Sequence, residues 1–150
     1  MNYLAIVLVA VLAVCESTQI RYRDCSKDGK VVSVDLSPCD NPMMCSVKQG
    51  SSISFDVKFN SNVASNALVA KVTGHLPTGQ SVPFILPNPD GCSGAGISCP
   101  LATGQQYVYH ESLTMDKNLP LIKVIVQYEM LDDAGNDVFC FEAPVQVVQA

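Results

Sequence analysis

Six of the seven cysteines, two histidines and one glutamate set among apolar neighbours are the residues of this chain whose types could do chemistry. Cys25, Cys39, Cys45, Cys92, Cys99 and Cys140 could serve as thiolate nucleophiles, metal ligands or disulfide partners. No Cys-x-x-Cys occurs and the spacings fit no zinc finger, so no metal site is expected. His75 falls in the turn-like TGHLPTG, and His110 falls on the polar parity of an alternating run. Oxidised cysteines would offer no thiolate nucleophile, and no G-x-S-x-G, H-E-x-x-H or phosphate-cradling glycine loop is present. Asp132 and Asp133 read as a solvated Asx-type turn. Glu111 could anchor a ligand head group, but its position reads better as a side chain tilting outward at a strand end. The chain is therefore not expected to be an enzyme or to need a cofactor.

Disulfides are the remaining use for the thiols. The first residues, MNYLAIVLVAVLAVCEST, hold an apolar run from Leu4 to Val14, too short to cross a membrane and of the length of a signal-peptide core. Cys15 and Ser17 supply small residues for cleavage before Thr18, so residues 1–17 are expected to be a leader and 18–150 one domain. Cys15 leaves with the leader, and the even number that remains fits a secreted, oxidised chain. Cys39 with Cys45 and Cys92 with Cys99 could each close a small loop, which leaves Cys25 to Cys140, tying the first strand to the last. The net charge is −5 and the Lys and Arg residues form no basic run, so no nucleic-acid partner or anionic membrane surface is expected.

Period-two alternation places these residues. In SSISFDVKFN, Ile53, Phe55, Val57 and Phe59 share a face; in KVVSVDL, Val32, Val34 and Leu36 do. QYVYHESLTM sets Tyr107, Tyr109, Leu113 and Met115 together, interrupted by Glu111. LIKVIVQYEM and FCFEAPVQVV add Ile122, Val124, Val126, Tyr128 and Met130, and Phe139, Phe141, Ala143, Val145 and Val147. Turn clusters separate the runs, with Gly135 of DDAGND placed for a hairpin. No helical stripe intervenes, so the expected fold is all-β: an antiparallel sandwich of six to eight short strands. Within it, VPFILPNPDGC fences Phe84, Ile85 and Leu86 between prolines that cannot donate to a ladder, which assigns the stretch to a sheet edge.

The run DCSKDGKVVSVDLSPCDNPMMCSVKQGSSISFDVKF, then VPFILPNPDGC, ISCPLATGQQYVY, IKVIVQYEMLDD and FCFEAPVQVV, resembles the Niemann–Pick type C2-like proteins of the ML lipid-recognition superfamily, in particular their arthropod members. CPLATGQQY extends the likeness to group 2 mite allergens. The resemblance implies an immunoglobulin-like sandwich with an apolar cavity between its sheets and the same three disulfides. It implies a small apolar lipid as partner: a long-chain fatty acid, a related semiochemical or a sterol. Phe84 matches the phenylalanine at the cavity mouth, and Met115 and Leu119 stand where sterol-binding members carry valine and tyrosine. Leu36, Ile53, Phe55, Leu113, Ile122, Val124 and Tyr128 match lining positions, while Tyr128 and Phe141 replace tryptophans. Methionine for valine and leucine for tyrosine make the pocket more pliable and less shaped to a rigid sterol. Against this reading of a secreted, monomeric lipid carrier stand sterol transfer to a membrane or receptor acceptor and glycolipid recognition in innate immunity. The latter would want a basic rim that this acidic chain lacks. No Asn-x-Ser/Thr sequon occurs after the leader, which favours extracellular fluid over glycan-directed sorting to lysosomes.

Overall fold

The computed structural model describes residues 16–150; most of the expected leader lies outside the described residues. Ten strands follow in order: β1 (Thr18–Gln19), β2 (Arg23–Asp24), β3 (Gly29–Ser37), β4 (Cys45–Lys48), β5 (Ser52–Ser61), β6 (Val69–His75), β7 (Ser81–Phe84), β8 (Gln106–Thr114), β9 (Lys123–Leu131) and β10 (Asp137–Val148). One sheet runs β1-β3-β5-β8, and the other runs β2-β10-β9-β6-β7, with β4 also on β10. All pairs are antiparallel except β4 with β10, where Cys45–Lys48 lies parallel to Val145–Val148. The fold is the expected all-β sandwich, with short additions on β10 that alternation was too brief to mark.

The inner faces follow the period-two rows with two informative exceptions. On β3 the buried residue is Val31 (2% exposed), while Val32 (40% exposed) faces solvent. A β-bulge between Val31 and Ser33 inserts one residue and flips the parity, so Val32 leaves the face shared by Val34 and Leu36. On β8, Glu111 does not tilt away at a strand end. It sits mid-strand and half-buried, opposite Phe55, and accepts a hydrogen bond from the Tyr109 hydroxyl at 3.0 Å.

Three disulfides join Cys25 to Cys140, Cys39 to Cys45 and Cys92 to Cys99. The prolines of VPFILPNPDGC lie where ladder donors are dispensable: β7 is an edge strand paired only with β6. Its exit is pinned. Gly91 donates to Leu68 O at 2.9 Å, Ala70 to Pro89 O at 2.8 Å, and Asp90 Oδ1 accepts from the Cys92 amide at 2.9 Å. A side chain at Gly91 would strike Met130 Sδ at 2.7 Å and Leu68 Cβ at 2.9 Å, so this loop seats only on glycine. Ile85 is turned out to solvent, Leu86 is buried in the core, and Phe84 lines a cavity between the sheets.

The hairpin from β9 to β10 turns on Gly135 (φ 81°) and on Asp132, whose Oδ1 accepts the amides of Ala134 and Asn136. The expected Asx-type turn forms with residues 133–136 exposed, and only Asp132 at its start is buried. Beside it, burial and the nearby Glu129 charge raise the Asp137 pKa. The folded state then holds this proton at a pH where the unfolded chain, at about 3.9, has released it. Stability from this group is complete below the unfolded value and is lost as pH rises through the folded one. Asp137→Asn should remove that slope and raise the melting temperature at pH 7 relative to wild type. Parallel melting curves from pH 4 to 7.5 check this, and parallel wild-type and variant profiles would contradict it.

Candidate functional site

The core is filled at one end and hollow at the other. At the filled end Phe59, Tyr109, Met130, Val138 and Phe139 are essentially inaccessible. Phe139 packs on Phe59 (ring centroids 4.7 Å), Tyr109 (5.9 Å) and Tyr128 (6.4 Å). Tyr128 then stacks on Phe141 at 5.8 Å and meets Phe55 edge-on at 5.2 Å. These three rings form the floor of a cavity of about 300 Å³ that opens away from the packed end. That volume is at the lower end of the range of small-molecule sites.

Its walls come from both sheets. Val34 and Leu36 of β3, Ile53 and Phe55 of β5 and Leu113 of β8 face Val72 of β6, Val124, Val126 and Tyr128 of β9, and Ala143, Val145 and Val147 of β10. Phe84 closes the edge, in register with Val72, Tyr128 and Phe141 in one row across the sheet. Lining residues that stay accessible mark the open side: Val82, Pro83 and Pro120 are exposed, and Leu76, Leu119 and Ile122 half-exposed. The loop carrying Leu119 is tethered where its carbonyl accepts from Gln49 Nε2. Phe84, Met115, Leu119, Leu36, Ile53, Phe55, Leu113, Ile122, Val124 and Tyr128 all border this one cavity. Sequence reasoning did not single out Val34 or Val126 as lining, although each shares the parity of a residue it did choose, and it chose no lining residue on β10, where Ala143 and Val145 border the cavity.

Polarity at the site is confined to the floor. Tyr128 is the only lining side chain with an oxygen or nitrogen atom among the described residues. Its hydroxyl lies 2.7 Å from that of Tyr109, which in turn reaches Glu111 Oε2 at 3.0 Å. Burial drives both phenols well above their ordinary pKa, Tyr109 further through the adjoining Tyr128 and Glu111, so both stay protonated at any physiological pH. The histidines lie away from the cavity wall: His110 pairs with Asp56 at 2.5 Å, and His75 spans Ser81 (2.8 Å) and Gln127 (2.6 Å). Glu129 and Asp137 approach Cys140, but that sulfur is held in its disulfide.

Such a fold is a container: a disulfide-stapled β-sandwich with a hydrocarbon-walled slot between its sheets. The ML-domain family model matches residues 19–147. The Danio rerio protein named NPC intracellular cholesterol transporter 2 is 40% identical over 146 residues, covering 97% of this chain and 96% of that one. The Mus musculus protein of the same name is 37% identical over 150 residues, covering 98% and 99%. The crystal structure of a Niemann-Pick type C2 protein from Japanese carpenter ant superposes with a TM-score of 0.80 at 26% identity, over 86% of this chain and all of that one. The chain belongs to the ML-domain family, as a Niemann–Pick type C2-like member.

Proposed function

We propose that this protein is a secreted carrier that holds one small apolar lipid between its sheets and gives it up unchanged. The observation that carries the reading is the dry slot, walled by aliphatic side chains and closed below by three aromatic rings. Each methylene moved from water into such a slot gains about 0.8 kcal/mol before ordering costs. A long acyl chain suits it, its polar head left at the rim of Leu76, Val82, Leu119 and Pro120. Pliable Met115 and Leu119 favour breadth of ligand over fit to one rigid shape. The three disulfides suit an oxidising compartment, reached after removal of residues 1–17. The chain would work as a monomer that passes its lipid to a membrane or a receptor.

Sterol transfer is the second reading, supported by the relatives whose names specify cholesterol transport. Thermal unfolding of the delipidated protein separates the two. A ligand at a hundred times its dissociation constant stabilises by about 2.7 kcal/mol, a shift of several degrees. Oleic acid should raise the melting temperature by that amount. A shift with cholesterol alone would replace the broad carrier by the sterol reading, and no shift with either would end both.

A further inference from the structure

The hydroxyls beneath the cavity are ordered in one direction. Glu111 Oε1 accepts the Ser112 amide at 3.0 Å and Oε2 faces the Tyr109 hydroxyl. A carboxylate only accepts, so the single hydroxyl hydrogen of Tyr109 is committed to Glu111. Tyr128 must then donate its own hydrogen to the Tyr109 oxygen, 2.7 Å away. Tyr128, the one lining side chain with an oxygen or nitrogen atom among the described residues, is then left with a lone pair to accept and no hydrogen to donate.

We propose that the Tyr128–Tyr109–Glu111 chain makes the cavity floor an acceptor-only site, selecting lipids whose buried end carries a hydroxyl over those carrying a carbonyl there. This rests on the carrier reading above and adds a rule for the inner end of the ligand. A ligand hydroxyl reaching the floor donates to Tyr128. A ketone at the same depth meets a lone pair with its own, and its lost water goes unreplaced. Glu111 and Tyr109 do not line the cavity; they are positioning residues that fix which way the Tyr128 hydrogen points.

Glu111→Gln tests the direction itself. The Ser112 amide holds the remaining carbonyl oxygen at the Oε1 place, so the new amide group faces Tyr109 and donates to it. Tyr109 then turns its hydrogen to Tyr128, and Tyr128 is free to donate into the cavity. Binding of palmitic acid, 16-hydroxypalmitic acid and 15-oxopalmitic acid would be measured by isothermal titration on the delipidated protein. Wild type should prefer the hydroxy acid to the oxo acid by roughly five- to tenfold, about one net hydrogen bond. Glu111→Gln should reverse that order while binding palmitic acid as wild type does, and Tyr128→Phe should abolish the discrimination. Equal affinity of wild type for both oxidised lipids, or an unchanged order in Glu111→Gln, overturns the inference and leaves the carrier standing. If palmitic acid does not bind either, the carrier reading fails and takes the inference with it.

Discussion

Replacing Cys25 and Cys140 together by serine should cost about 4 to 5 kcal/mol of unfolding free energy. The bond spans a sequence separation of 115, and on the chain-entropy model a loop of that size restricts the unfolded chain most. The loss approaches the whole stability of a small domain, about 5 to 15 kcal/mol. It also falls where a short strand is fastened to the sheet. β2 contributes two residues to the sheet, with the Cys25 amide bonded to Cys140 O at 2.9 Å and Arg23 paired to Glu142 at 2.6 Å in an exposed ion pair. Such a surface pair contributes little alone. The Cys39–Cys45 bond, with a separation of 6, should cost about 2 kcal/mol when removed. Urea denaturation of the two double-serine variants compares them directly. A larger loss from Cys39 and Cys45 would show that native packing around the short loop, not chain entropy, sets the order.

Filling the slot should separate binding from stability. Val126 lies on the central strand β9 between Val124 and Tyr128, half-buried and facing the cavity. Val126→Trp directs an indole into space that a lipid would occupy, so lipid affinity should fall at least tenfold, or 1.4 kcal/mol. An apolar side chain entering an empty apolar cavity gains contacts, and cavity filling commonly adds about 0.5 to 2 kcal/mol. The same substitution in a filled core would instead cost about 1 to 3 kcal/mol through overpacking. Weaker lipid binding with equal or greater stability is the expected pair of results. Lower stability with unchanged binding would mean that the ligand lies elsewhere.

Alternation carried most of the fold because both sheets bury one face, and burial on one face is what a period of two records. It placed Ile53 with Phe55, and Val124 with Tyr128, each pair on one face of its own strand without any contact information. It failed where the backbone leaves the period. The bulge at β3 exchanged Val31 for Val32, and no residue type in GKVVSVDLS marks where the extra residue sits. Glu111 was misread for a different reason. Its inward parity was visible, but the partner that makes an inward carboxylate tolerable is the Tyr109 hydroxyl two residues earlier, tied across the sandwich to Tyr128. That bridge depends on how the sheets superpose, which one strand's pattern does not contain. The cavity itself lay beyond composition. A filled core and a hollow one use the same aliphatic residues, and only the spacing between the sheets past the Phe55–Tyr128–Phe141 floor separates them.

Native mass spectrometry of the delipidated protein, incubated with equimolar oleic acid and cholesterol, tests most directly whether one lipid occupies the slot. A carrier with this cavity should show a one-to-one oleic acid adduct that is lost in Val126→Trp. Bare chain alone, or lipid adducts of the same stoichiometry in wild type and Val126→Trp, would contradict a ligand held between the sheets.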